Sequence, residues 1–262
     1  MNPKLIAIIA AFSVLFLLEQ LLPYYRTAGG REDFIRESGN IMLALLNAAV
    51  SAVFAYVVTM PVLEWTGEFY RGLRAASLPV PVPVLALISF LLLDCWTYWW
   101  HRINHSNAFF WRFHRVHHSD TLLSASTHFR FHTGEIMLSM IIRLPLLAAL
   151  GLPLPYLLAY DLVLNVCSLF QHGNFRMAEP VDRALRALLV TPMMHRVHHS
   201  TEWRETNSNY ATVFSFWDRI FGSYRHRRYA DPPRIGMNIL RSERWNRISN
   251  LLRMPFAGKD VQ

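Results

Sequence analysis

The hexapeptide His-Arg-Val-His-His-Ser occurs twice, at residues 114–119 and 195–200. On a helix, positions i, i+3 and i+4 share a face. His114, His117 and His118 are therefore expected to point three imidazoles in one direction, and His195, His198 and His199 to do the same. His101 and His105, spaced i, i+4, lie just upstream, so eight of the twelve histidines fall in three clusters. Imidazole binds iron, copper, nickel and zinc, and eight are more than one ion needs. The pattern predicts a two-metal site. A lone histidine is more often a packed or surface residue, but two identical triplets and a spaced pair argue against that here.

The hydrophobic pattern says where such clusters can sit. The chain of 262 residues is 53% apolar and 17% charged, which leans towards a membrane protein. Residues 3–22 are apolar except for Glu19 and Gln20; no small-residue cleavage site follows, so a first span is expected rather than a signal peptide. Residues 23–39 read as a polar connection. Ile41 to Leu63 is long enough for a bilayer core, which needs roughly 20 residues, and Asn47 and Ser51 on it are placed to face another helix. A polar connection follows over 64–78. Pro79, Pro81 and Pro83 favour extended chain until a helix starts near Val84. That span ends in Trp96, Tyr98, Trp99 and Trp100, side chains that prefer the lipid–water boundary, so His101 and His105 emerge at the interface.

Asp94 shares a helix stripe with Tyr98, His101 and His105. A carboxylate inside a span is costly and has a partner, and a metal-bound histidine needs an acceptor for its second nitrogen. Asp94 is therefore read as that acceptor. His128 and His132 are again spaced i, i+4, and Glu135 is placed to orient His132. Residues 136–170 are apolar with breaks at Pro145, Gly151, Pro153 and Pro155, a helical hairpin. Asp161, Asn165, Ser168 and His172 form a polar stripe along its second arm, parallel to that of Asp94. The aromatic run 214–224 either lies on the membrane surface or packs over the metal site.

Residues 172–262 carry 15 Lys+Arg against 8 Asp+Glu, which is +7 of the chain's formal +8. This suits a cytoplasmic, membrane-facing region. The arginines are scattered among His, Trp and Phe, so no nucleic-acid partner is expected. Cys95 and Cys167 form neither a disulfide framework nor a C-x-x-C motif. With the histidine clusters cytoplasmic, residues 23–39 are inside and the N-terminus and 64–78 outside. The fold class expected is all-α: an integral membrane helical bundle with an interfacial or cytosolic helical cap carrying the clusters. Residues 1–83 supply spans and connections, 84–225 the histidine-bearing domain, and 226–262 a basic tail.

Each of two metals could take about four or five histidines and keep positions open for exchangeable ligands. H-E-x-x-H is missing, and so is the E-x-x-H of soluble di-iron bundles. Imidazole-only ligation beside a bilayer suits iron that activates dioxygen near a buried C–H bond. A membrane zinc-dependent hydrolase and a non-catalytic metal-binding membrane protein are the alternatives.

His101-Arg-Ile-Asn-His105, His114-Arg-Val-His-His118 and His195-Arg-Val-His-His199 resemble the three histidine boxes of the fatty acid hydroxylase/sterol desaturase superfamily. Asp94 with Tyr98-Trp-Trp-His101-Arg, Arg130-Phe-His132 with Glu135, His172-Gly-Asn174, Asn209-Tyr210 and Trp217-Asp218-Arg with Phe-Gly222 resemble it too. The resemblance covers about residues 85–225. It implies a membrane di-iron oxygenase that uses O2 to hydroxylate or desaturate a lipid: fatty acyl, sterol, carotenoid or alkyl glycerol. It implies two iron ions, which zinc could replace in purified protein, and a separate electron donor, ferredoxin- or cytochrome-like. The implied ligands are His101, His105, His114, His117, His118, His195, His198 and His199, with His172 and, at a recurrent family position, His132. Asp94, Glu135 and Asn174 would stand behind them, and His128 is left to packing.

Overall fold

In the computed structural model, residues 3–27, 29–69, 80–150 and 154–258 are described. They are helical, with three isolated bridges and no strand among the described residues. The long elements are α1 (Pro3–Leu21), α2 (Arg31–Phe54), α3 (Met60–Phe69), α4 (Val82–Ser106), α6 (Thr133–Leu150) and α7 (Leu154–His172). A single π-helical turn, Ala55–Thr59, joins α2 to α3 without a break. Four stretches are long and apolar enough to cross a membrane: Arg31–Trp65, Pro83–Ser106, Thr133–Leu150 and Leu154–His172. Helix α1, expected as a further span, has a shorter described apolar stretch, Ile6–Leu21, and packs along α7.

Short helices cap one end of this bundle: α5 (Ala108–His118), a 3-10 turn (Ala125–Phe129), α8 (Glu179–Leu185), α9 (Pro192–His198), α10 (Trp203–Thr206), α11 (Phe216–Ile220) and α12 (Ile248–Arg253). Local sequence fixes where the two box-bearing ones begin. Asn107 caps α5, its side-chain oxygen accepting from the N–H groups of Phe109 and Phe110. Thr191 does the same for α9 through Met194 N–H, with Pro192 in the first turn. Both residues satisfy donors that a helix start leaves unpaired.

Three sequence expectations change. The polar run 23–39 is not all connection, because α2 begins at Arg31. Its polar residues serve a buried network: Arg36 and Asn40 are 2% and 0% exposed and reach Asp120, Ser124 and Ser126. Glu32 and Asp33 in the first turn suit the positive end of the helix dipole. Secondly, the connection expected from residue 64 is helical as far as Phe69, and the remainder of it, with Pro79, lies outside the described residues. Thirdly, Pro145 sits inside α6, which packs against α2 and α3, rather than ending it. Gly151 and Pro153 lie outside the described residues; Pro155 is in the first turn of α7.

The cap is tied to the bundle at several points. Asn47 of α2 donates to Phe131 O and accepts from Thr133 Oγ1. A Cβ on Gly39 would lie 2.2 Å from Asn246 O, so only glycine lets the C-terminal segment approach α2 there. The Arg115 guanidinium, in α5, donates to Met254 O and Ala257 O. The Asn47 and Gly39 contacts lie where the cap meets the long helix α2.

Candidate metal centre

Nine imidazoles converge in two groups. His101, His105, His114, His118 and His198 form one, and His117, His172, His195 and His199 the other; within each group the nearest ring nitrogens lie within 4.8 Å of one another. Each triplet is divided rather than aimed as a unit. His114 and His118 go to the first group and His117 to the second, while His195 and His199 go to the second and His198 to the first. Adjacent helix residues are about 100° apart in azimuth, so the i, i+4 pair and the residue between them straddle two sites. The two helices exchange one histidine each, and His118 stacks on His199 across the groups at 4.3 Å.

Hydrogen bonding fixes which nitrogens are free to bind a cation. His101 Nδ1 lies 2.7 Å from Tyr210 O, His198 Nδ1 2.7 Å from Ser208 O, and His172 Nδ1 2.6 Å from Ser168 O. A carbonyl only accepts, so each Nδ1 carries the hydrogen and each Nε2 of the neutral ring is a lone pair. His114 Nδ1 makes the equivalent bond to Glu135 Oε1 at 2.7 Å. His101 Nε2 and His114 Nε2 then face each other as two lone pairs only 3.1 Å apart. His172 Nε2 lies 3.1 Å from His117 Nε2 and 2.9 Å from His195 Nε2, which is 3.1 Å from His199 Nε2. Nitrogens about 2.1 Å from one ion and at right angles lie about 3 Å apart. Two facing acceptors repel unless a cation lies between them. The buried His105 and His118 rings have no hydrogen-bond partner at either nitrogen, and His198 has none at Nε2. The donor set fits a pair of first-row transition ions held by imidazole alone.

Five of the cap rings are kept neutral. Burial first, and then the neighbouring imidazoles, keep His117, His118, His195 and His199 well below the usual histidine range. Burial pushes His198 down to about 3.

Other proposed residues take different partners. Glu135 orients His114, not His132. His132 is apart from both groups, its Nδ1 accepting from Gly134 N–H and its Nε2 donating to Leu252 O, so neither nitrogen is free for a metal. Asp94 touches no histidine; its Oδ2 accepts from Phe214 N–H and the Trp217 indole. Asn174 likewise bonds the Tyr25 backbone in both directions and gives its N–H to Glu19. His128 bonds Ser168 Oγ and Asn165 Oδ1, as a packed residue would. The aromatic run packs on α4: Phe221 stacks on Tyr98 and lies against Trp99, and the Trp217 indole bonds Asp94.

The carbonyls of Ser208 and Tyr210 had no residue-type signal, but their loop did. Asn209 takes φ 53, a left-handed conformation that asparagine tolerates. Its amide bridges Met194 O and Arg225 O. Asp218 accepts from Tyr210 N–H, Ala211 N–H and Ser223 Oγ, and burial pushes its carboxyl up to about 6. Asn209 and Asp218 therefore set the loop whose carbonyls set two ligand rings.

A cavity of about 210 Å³ reaches both groups, touching His101 and His114 of one and His117, His172 and His195 of the other. Its remaining wall comes from α4, α6 and α7, including Trp100, Ile136 and Leu164, and from His128, Thr212 and Phe131, the last of which stacks on His117 at 4.2 Å.

The sequence profile of a family described as fatty acid hydroxylase matches residues 86–223. An ornithine lipid hydroxylase of Rhizobium tropici is 26% identical over 235 residues, 86% of this chain and 66% of that protein. Human alkylglycerol monooxygenase is 34% identical over 62% of this chain and 36% of its own length. Human lathosterol oxidase is 29% identical over 61% of this chain and 49% of its own. The chain thus spans less than two thirds of the length of these relatives. No solved structure matches.

Proposed function

Since the chain belongs to the fatty acid hydroxylase family, we propose that it is a membrane-bound, O2-dependent oxidoreductase that hydroxylates or desaturates a lipid. The observation that carries this reading is the convergence of nine imidazoles, eight of them buried and His101 partly so, with ring lone pairs facing one another, on a cavity walled by membrane helices. His101, His105, His114, His118 and His198 would hold one iron ion, and His117, His172, His195 and His199 the other. Bound iron would supply what no side chain can: activation of O2 so that an unactivated C–H bond is oxidised. For hydroxylation the balance is RH + O2 + two electrons + two protons giving ROH + H2O, and for desaturation the same input gives an alkene and two waters.

The protein's own part is positioning and exclusion. The Ser208, Tyr210 and Ser168 carbonyls and Glu135 set ring orientation and tautomer. The wall formed by α4, α6 and α7 admits a lipid from the bilayer side and keeps bulk water from the reacting carbon. The histidines act as ligands rather than as acids or bases, in keeping with the depressed basicity of His117, His118, His195, His198 and His199. Electrons come from a separate ferredoxin- or cytochrome-like donor, and the boxes face the cytoplasm, as the positive charge of the last third favours.

The test is metal content with Mössbauer spectroscopy on protein produced in iron-rich medium, together with lipid product formation under O2. About two irons per chain with coupled, nitrogen-ligated signals are expected. His117→Ala and His198→Ala, one from each group, should each abolish iron loading and product. Full activity in either variant, or turnover that persists without O2, overturns the reading; the latter would point to a zinc hydrolase.

A further inference from the structure

A cavity shaped for a bare hydrocarbon tail is walled by apolar side chains. This one also presents Thr97, Asn104, His128, Asn165, Ser168 and Gln171. Four of these six are engaged with the protein. Thr97 Oγ1 bonds Leu93 O and the Tyr160 hydroxyl. His128 bonds Ser168 and Asn165, and Asn165 donates its amide to Asp161 O.

Asn104 and Gln171 differ. Asn104 is 1% exposed and donates Nδ2 to Trp100 O at 2.8 Å. That bond fixes the amide's orientation and leaves Oδ1 as an acceptor with no partner. Gln171 is 2% exposed, and its Oε1 has no partner either. The two come from different helices, α4 and α7, and both line the same cavity. Buried polar atoms are almost always bonded, and leaving one unsatisfied is costly. These two unpaired amide oxygens, with the unpaired Glu135 Oε2 on the same wall, select for a ligand that brings donors.

We propose that the substrate presents a hydroxyl or amide N–H to Asn104 Oδ1 and Gln171 Oε1. Asn104 directly precedes His105 and Gln171 directly precedes His172, so a donor held there lies beside the histidines. The carbon that reaches them is then within a few bonds of a polar group, not far along an alkyl tail. That this carbon is the one oxidised rests on the oxygenase reading above; the binding preference does not.

The full-length, iron-loaded protein in detergent is titrated without O2, with affinity read from tryptophan fluorescence, since Trp100 lines the cavity. Two matched pairs of probes are used: 1-hexadecanol against its methyl ether, and N-hexadecylacetamide against its N-methylated tertiary amide. In at least one pair the donor-bearing member should bind about tenfold tighter or more, because a site built to pair a donor rejects the analogue lacking it; which pair responds says whether the donor is hydroxyl or N–H. Asn104→Leu and Gln171→Leu should each bring that ratio to within about twofold, with iron content and affinity for the capped probe unchanged. Equal affinities within both pairs, or a ratio that survives both substitutions, overturns the proposal and assigns the two carbonyls to water. Should Asn104→Leu fail to hold iron, Gln171→Leu decides alone. O2-dependent product is followed separately, so the oxygenase reading can fail while the binding ratio stands, and the reverse.

Discussion

Among the described residues, Glu135 is the one carboxylate bonded to a ring of either histidine group, and its oxygen meets His114 Nδ1 in a buried pair at 2.7 Å. A carboxylate there fixes the tautomer and strengthens the ring as a ligand. Removing such a partner weakens metal binding by about 10–100-fold. Glu135→Ala should lower iron affinity by that order, measured by competition with a chelator, and Glu135→Gln should lose less because an acceptor oxygen remains. Unchanged affinity in both variants would show that His114 needs no orienting group. The histidines themselves were legible in the sequence because their spacing is a side-chain property. The i, i+3, i+4 spacing predicts one shared face, and their division between two groups needed the second helix to be seen, since each triplet lends one ring to the other's site. The partners of the rings were mostly illegible. Three are main-chain carbonyls, which carry no residue-type signal, and Asp94 looked suitable only because its helix stripe ignores the aromatic loop that claims it.

At the scale of elements, the box-bearing helix α5 is held by a buried polar network that the sequence showed as an ordinary polar loop. Arg130, fully buried, donates to Val116 O and Ser119 Oγ at the end of α5, to Asn40 Oδ1 of α2 and to Asn246 Oδ1 of the C-terminal segment. Burial pulls its guanidinium down to about 10, so it stays charged. Burial alone would raise the nearby Asp120 carboxyl, but Arg36 and Arg130 outweigh it and hold it below the ordinary range. One cation thus joins three elements that are distant in sequence. Arg130→Met removes it and leaves Asn40 Oδ1 and Asn246 Oδ1 without their donor, while Asp120 keeps Arg36, and each buried acceptor left unpaired costs about 1–3 kcal/mol. The expected outcome is a markedly lower thermal midpoint in detergent and partial loss of iron, with Arg130→Lys intermediate. A midpoint equal to that of the unaltered protein would mean that Arg36 carries the network unaided. Four of the five expected apolar spans were readable from hydropathy; the helical start of α2 was not, because its polar residues face protein rather than water.

For the whole molecule, the contacts fix which chain segments share an end of the bundle. Tyr24 N–H bonds Asn174 O, the Tyr25 hydroxyl bonds Pro233 O, and Arg36 reaches Asp120. The end of α1, the start of α2, the end of α4, the start of α6 and the end of α7 therefore all meet the cap that carries the histidines. Arg26, Arg31 and Arg36 belong to this end, as does the last third with its net +7. Positive residues flanking spans are retained in the cytoplasm, so these arginines and the last third agree with the cytoplasmic side proposed for the boxes. The assignment is open to a labelling experiment. Cys95 and Cys167 are free and only partly buried, so both are first replaced by serine. An exposed residue of the cap, Asn238, is then converted by Asn238→Cys. A membrane-impermeant maleimide should leave this site unlabelled in intact cells and label it after permeabilisation. Equal labelling in both would place the boxes on the outer face, where a cytoplasmic electron donor could not dock, and the donor would then have to be sought on the other side of the membrane.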